Sequence, residues 1–305
     1  MMTLRLEGKE PSLRIKEWVK GSVLKLKNEH GFSPRMVTVK IGEDPAAERY
    51  IRNQLRACES AGIEARLDTF AEDTPKEEFL KYLAKLGGDC EIDGIILQTP
   101  FPKGWRSEEI LSAMPPAKDV EGVHPENLGR LYLGDLGIPL PCTAWSAVSL
   151  LEWYGRGSFE RTNCAVVGRS PNVGRAIAML LMHRQGTVTV CHTRTSNEQL
   201  RGVLARSEVI IAAAGAPGLI KAESLPAGSW VVDVGTNYDE EGRLTGDIPA
   251  EADGLVTALS PVPGGVGPLT VSLLLANVLL CAASRRLGRR WLLPKLAELR
   301  PETAA

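Results

Sequence analysis

A glycine turn at Val166-Val167-Gly168-Arg169-Ser170, followed by Val173-Gly174-Arg175, closes an apolar β-branched run and opens a stretch of helical period. A strand that turns at glycine into a helix aims backbone N–H groups and the positive end of the helix dipole at whatever fills the turn, which suits a phosphate. The spacing is not the usual G-x-G-x-x-G. Ser170 stands where the second glycine belongs and Gly174 comes one residue late. On spacing alone, a dinucleotide site and a plain tight turn are equally good readings. The end of the next strand separates them. His192-Thr193-Arg194-Thr195 stands where an acidic residue would read the ribose of NAD. A hydroxyl and an arginine suit a 2′-phosphate instead, and Arg169 adds a second positive charge. The alternative is that these are solvated loop residues; the combination favours NADP over NAD.

These turns sit in a chain of 305 residues, which at roughly 150 per domain predicts about two domains. A hydrophobic fraction of 44% and a charged fraction of 24% argue against a disordered chain. Lys and Arg total 36 and Asp and Glu 37, a net charge of −1, so no global field draws nucleic acid or a membrane. The longest apolar run, residues 271–283, reads as too short to span a bilayer, and residues 1–10 lack the apolar core of a secretory signal. Six scattered cysteines show no metal-ligand spacing, so no metal is expected, and several lie in apolar runs as buried thiols of a reducing compartment do. A cytoplasmic protein is the expectation.

Helical and strand patterns alternate along the chain. Helices are predicted over 12–27, 46–61 and 74–86, with strands over 36–41, 63–70 and 92–97. A Pro/Gly-rich connector follows over 99–141, with only a short helical possibility at 107–114, and its length marks it as functional or a domain junction. Beyond a helix at 143–154, a second alternation has strands at 164–167, 187–191, 209–213 and 230–234, with helices at 172–184 and 196–206. The last helix spans about 269–287 and runs into Arg285, Arg286, Arg289 and Arg290, a set that complements a helix C-terminus better than it suits nucleic acid. The fold class is α/β with right-handed crossovers and mostly parallel sheets.

Taken together, these segments resemble the bifunctional methylenetetrahydrofolate dehydrogenase/methenyltetrahydrofolate cyclohydrolases. The matching stretches are Ile41-Gly42-Glu43-Asp44-Pro45-Ala46 with Tyr50, and Asp93-Gly94-Ile95-Ile96-Leu97-Gln98 with Pro100. They continue through Lys118-Asp119-Val120-Glu121-Gly122, His124-Pro125 with Asn127 and Gly129-Arg130, and Pro141-Cys142-Thr143. The second half supplies residues 166–175 and 190–195, Val232-Asp233-Val234-Gly235, and the most specific motif, Pro261-Val262-Pro263-Gly264-Gly265-Val266-Gly267-Pro268 with Thr270.

The resemblance implies two domains with a folate cleft between them. Residues 1–142 plus 269–305 would form the folate/catalytic domain, and 143–268 the NADP-binding Rossmann domain. It implies hydride transfer from methylenetetrahydrofolate to NADP, followed in most members by hydrolysis of the methenyl ion to 10-formyltetrahydrofolate. Tyr50 would pack on the pterin and Gln98 would stand in the catalytic centre. Pro263, Gly264 and Gly265 would line the cleft near the nicotinamide. Gly168, Arg169, Ser170, Gly174, Thr193, Arg194 and Thr236 would hold the cofactor. A homodimer is also implied.

Departures concentrate at the catalytic positions. The family's lysine, four residues after the tyrosine, is Gln54 here. The expected aspartate is Glu121, Ala47 replaces a serine, Thr99 a leucine, and Ala144-Trp145-Ser146 a prolyl-lysyl-glycine run. Hydride transfer needs positioning and a dry cleft more than an enzymic base. Hydrolysis needs protons moved, and a glutamine amide cannot titrate near neutrality. The expectation is therefore an active dehydrogenase with doubtful cyclohydrolase activity. Alternatives are a fully bifunctional enzyme, a dehydrogenase of a modified pterin, and a folate- and NADP-binding protein without catalysis.

Overall fold

The computed structural model describes residues 2–43, 45–288, 294 and 296–300. The side chain of Ala47, and Arg289 and Arg290, lie outside what is described. The chain divides into two compact units, one of Ile15–Leu140 and Val271–Leu293, the other of Met1–Arg14, Pro141–Thr270 and Pro294–Ala305.

In chain order the first elements are β1 (Leu4–Arg5), α1 (Lys9–His30), β2 (Arg35–Ile41), α2 (Pro45–Ala61), β3 (Glu64–Phe70), α3 (Lys76–Gly88) and β4 (Gly94–Leu97). β2 is the middle strand of a three-stranded parallel sheet ordered β3-β2-β4. Nearly all of β2 and all of β4 are buried, as expected of parallel strands covered on both faces. Val37, Val39 and Ile41 pack with Ile95, Leu97, Phe79 and Leu83 on one face. Strand alternation therefore turns Thr38 and Lys40 to the other face. The connector after β4 holds more structure than its composition suggests. Besides α4 (Ser107–Leu111) it contains α5 (Pro125–Tyr132), where His124 caps the N-terminus through Nδ1 and Pro125 takes the first helical position.

The second unit begins its main run with α6 (Cys142–Trp153), then β5 (Asn163–Val167), α7 (Ala176–Met182), β6 (Thr187–Cys191), α8 (Asn197–Leu204), β7 (Val209–Ala212) and β8 (Trp230–Asp233). A hairpin of β9 (Asn237–Tyr238) and β10 (Leu244–Thr245), then β11 (Ala258–Leu259) and α9 (Val266–Leu287), complete the set. The sheet runs β1-β11-β8-β7-β5-β6, parallel throughout. One face is sealed by Val167, Ile210, Ala212 and Val231 against Leu200 and Leu204 of α8.

The division differs from the expected one at the termini. Residues 1–14 join the nucleotide unit because Leu4 and Arg5 pair with Ala258 and Leu259 as an edge strand. Two-residue strands carry no periodicity, so β1, β11 and the hairpin escape a pattern reading. Two other expectations need correction. The apolar run at 271–283 belongs to a 22-residue helix with an 18-residue stretch of mean hydropathy 2.0, long and apolar enough for a bilayer span, but 83% of that stretch is buried within the protein. Arg285 and Arg286 do more than face a helix end. Both ion-pair with Asp93, at 2.9 and 2.8 Å, and donate to the carbonyls of Ile92 and Glu91.

Candidate functional site

The nucleotide turn resolves its odd spacing by its backbone. Residues Pro171–Arg175 form a single π-turn ahead of α7, with the Arg175 N–H donating to Ser170 O at 3.0 Å. A π-turn takes up one residue more than an α-turn. The late Gly174 is thus carried back against the start of the turn, where an added Cβ would lie 2.2 Å from Gly168 O. Gly168 itself has φ +151 and would place a Cβ 2.1 Å from Ala213 O. Both glycines are required by close backbone approach. Ser170 caps the turn by accepting from Gly174 N–H at 3.3 Å.

β5 and β6 are parallel neighbours, so Arg169-Ser170 and Thr193-Arg194 emerge side by side at their C-terminal ends. All four residues are exposed, as is Thr236 beyond β8. Neither Arg169 nor Arg194 has a carboxylate partner among the described residues, and neither turn contains an acidic residue. The donor set therefore fits a dinucleotide carrying an extra phosphate.

Two buried aspartates brace the neighbouring loops. Asp247 accepts from the N–H groups of Ala214, Gly215 and Ala216 and from Asn237 Nδ2, at 2.7 to 3.0 Å. Asp233 accepts from Gly235, Asp247 and Ile248 N–H. Burial pushes its carboxyl up to about 6, against those hydrogen bonds. The sequence names Asp233 only within the matching Val232-Asp233-Val234-Gly235 stretch and gives no sign of Asp247, because a lone aspartate in a loop carries no signal of its own. The cleft-loop residues also belong to this unit. Pro263 follows a cis peptide bond, and Gly264 O accepts from Gly8 N–H at 2.8 Å. Gly265 N–H donates to Pro261 O at 2.8 Å.

The other candidates belong to the first unit. Tyr50 and Gln54 lie one turn apart on α2; Tyr50 is 36% exposed and Gln54 fully buried. Neither end of the Gln54 amide has a hydrogen-bond partner. Such an orphan costs roughly 1–3 kcal/mol. Gln98 follows β4 and is fixed by its N–H donating to Val39 O at 2.9 Å. It lines a cavity of about 170 Å³ together with Lys40, Gly42, Thr99, Pro100 and Phe101. Lys40 was not singled out from sequence, although a lysine inside a buried parallel strand was a usable signal.

Glu121 follows a segment that bridges to β4 through Asp119 and Ile95. Asp119 is fully buried and satisfied by Gly122 and His124 N–H and by Asn127 Nδ2. No hydrogen bond or ion pair reaches Glu121 among the described residues. As a residue it keeps partial solvent contact, yet loss of hydration at its carboxyl, helped by the nearby charge of Asp119, pushes it up to about 8. Glu121 thus holds its proton at neutral pH. In the unfolded chain that proton leaves near 4.5, so this group's contribution to stability is complete below pH 4.5 and lost as pH rises through about 8. Urea unfolding of Glu121→Gln across that window is expected to show a flatter fall in stability than the wild type. Parallel curves would place the titration elsewhere.

No group of three or more His, Cys, Asp or Glu placed to hold a metal ion occurs among the described residues. Five of the six cysteines are buried thiols, and Cys90 is exposed.

A parallel nucleotide-binding sheet, a phosphate turn with unpaired arginines and a second α/β unit with a polar cavity define a two-domain, dinucleotide-dependent α/β protein. Residues 6–121 match the tetrahydrofolate dehydrogenase/cyclohydrolase catalytic domain, and residues 141–286 match its NAD(P)-binding domain. The chain belongs to the tetrahydrofolate dehydrogenase/cyclohydrolase family. A curated relative, the bifunctional protein FolD 1 of Rubrobacter xylanophilus, is 42% identical over 285 residues, 93% of this chain and 99% of that protein. The crystal structure of the bifunctional FolD methylenetetrahydrofolate dehydrogenase/cyclohydrolase from Campylobacter jejuni matches with a TM-score of 0.89 at 35% identity, over 93% of this chain and 100% of that one. The Trypanosoma brucei dehydrogenase-cyclohydrolase, solved with NADP cofactor and an inhibitor, matches at 0.87 and 29%, over 92% and 98%.

Proposed function

We propose that this protein is a methylenetetrahydrofolate dehydrogenase that passes hydride from 5,10-methylenetetrahydrofolate to NADP and hydrolyses the methenyl product poorly. What supports the reading is the contrast between the nucleotide turn and a buried, uncharged Gln54 one helical turn from Tyr50, at the position the family resemblance gives to a titratable lysine. Gly168, Ser170 and Gly174 shape the phosphate turn, Arg169, Thr193 and Arg194 take the 2′-phosphate, and Thr236 contacts the cofactor. NADP, when bound, supplies the hydride acceptor. Tyr50 packs on the pterin, Gln98 holds the reacting end, and the loop at Pro263, Gly264 and Gly265 keeps water from the nicotinamide side. The departing hydride is driven by the substrate's own nitrogen lone pair, so the protein contributes placement and dryness. A cytoplasmic homodimer is part of the same reading.

A fully bifunctional enzyme is the second reading. What favours it is Glu121, protonated at neutral pH and available to donate as the ring opens.

Mixing purified protein with methylenetetrahydrofolate and NADP should generate NADPH, with NAD much less effective. Arg169→Ala should raise KM for NADP far more than for NAD, since a charge-assisted hydrogen bond is worth roughly 1.5–3 kcal/mol. Equal effects on both cofactors would overturn the 2′-phosphate assignment. Binding of both ligands without NADPH formation would leave a non-catalytic binding protein.

A further inference from the structure

The family's position for a cationic side chain on α2 holds an uncharged amide here, yet the cavity beside Gln98 is not without a cation. Lys40 enters it from β2. Its side chain is only 8% exposed, and the β2 register, Val39 opposite Leu97, sets it beside Gln98, one residue past the end of β4. A buried ammonium has three N–H donors to satisfy. Lys40 Nζ has one partner among the described residues, Glu48 Oε1 at 3.3 Å, and that carboxylate is 44% exposed and half in water.

Lys118 shows what a purely structural buried lysine looks like in this chain. Its Nζ is held by two carbonyls at the end of α3, Leu86 O at 3.2 Å and Asp89 O at 2.6 Å. Stapling the start of α2 to β2 would explain the Glu48 contact. It leaves unexplained why Lys40 lines a cavity of about 170 Å³, several times the roughly 30 Å³ of a water molecule. A buried charge with one long contact is poorly compensated, and an acceptor from a ligand would repair that.

We propose that Lys40 is a substrate-binding residue, its ammonium donating to a carbonyl or ring-nitrogen acceptor of the folate in the cavity beside Gln98. The exposed Glu43, Glu72 and Lys103 on the same cavity, taken with Lys40, leave it without net charge, so nothing there calls for an anionic group and the acceptor is a neutral heteroaromatic edge. Lys40 would thereby help decide which pterin is accepted. This inference rests on the folate reading above.

Equilibrium binding of tetrahydrofolate and, separately, of NADP tests it without turnover. Lys40→Met should weaken tetrahydrofolate by roughly ten- to a hundred-fold and leave NADP affinity unchanged. In turnover it should raise KM for methylenetetrahydrofolate with little change in kcat. Glu48→Gln frees the ammonium and should tighten tetrahydrofolate. Unaltered folate binding in Lys40→Met, with NADP binding intact, overturns the assignment. If Lys40→Met loses both ligands it has misfolded, and Glu48→Gln then decides: tighter folate binding supports the proposal and unchanged binding ends it. A wild type that binds no tetrahydrofolate would instead refute the folate reading itself.

Discussion

Methenyltetrahydrofolate given to the wild-type protein is expected to disappear at least about a hundred-fold more slowly than the protein transfers hydride, the lower end of what general acid–base help supplies. Gln54 is the cause. It is fully buried, neither end of its amide is bonded, and it cannot carry a proton near neutrality. Gln54→Lys should raise hydrolysis while leaving the NADP site untouched. Burial there would lower the new amine's pKa, as a catalytic lysine requires. The gain should be partial and come with a lower melting temperature, because the surroundings were not built for an ammonium. Gln54→Met separates stability from chemistry. It removes the orphaned amide and should stabilise the fold by roughly 1–3 kcal/mol with no gain in hydrolysis. A wild type that clears methenyltetrahydrofolate as fast as it transfers hydride would shift attention to Glu121.

Gly174→Ala should reduce NADP affinity by about a hundred-fold, a loss of close to 3 kcal/mol. The new methyl would meet three backbone atoms, Gly168 O at 2.2 Å, Gly168 C at 2.4 Å and Arg169 N at 2.8 Å. None of these can swing aside as a side chain would, so the turn itself must open. Gly202→Ala is the control. That residue lies inside α8 with nothing within 4 Å of the added carbon, so NADP binding should persist and helix stability should rise slightly. Retained NADP affinity in Gly174→Ala would mean that the phosphates sit elsewhere.

The β/α alternation was legible because long, strongly periodic segments announce themselves: the residues of β2, α2, β6 and α9 were recognised nearly to their ends. What escaped was held by single interactions. β1 and β11 are two residues each and exist through pairing across some 250 positions. Helix α5 starts on a cap from His124, a residue with little cap signal. The nucleotide turn was readable as chemistry, yet its late glycine looked like a defect until the π-turn absorbed it. Gln54, Glu121 and Gln98 could be named from motif positions. That Gln54 would be buried without partners, or that Lys40 would line the cavity with Gln98, depends on tertiary packing that no local pattern encodes.

The interleaving of the two units has a consequence during synthesis. The sheet carrying Gln98 is anchored by the last helix: Arg285 and Arg286 grip Asp93 at the start of β4, and Asn277 donates to Val120 O and Leu140 O. The nucleotide unit borrows its edge strand from the first few residues. As the chain leaves the ribosome, residues 15–140 emerge first but lack the helix that closes their core. Residues 141–270 emerge later and can dock at once against an N-terminal strand already waiting. The nucleotide unit can therefore assemble its sheet before the catalytic unit closes, and both units take their last piece from the stretch beyond residue 270. Until α9 is released, the nascent catalytic half exposes the apolar surface that this helix covers.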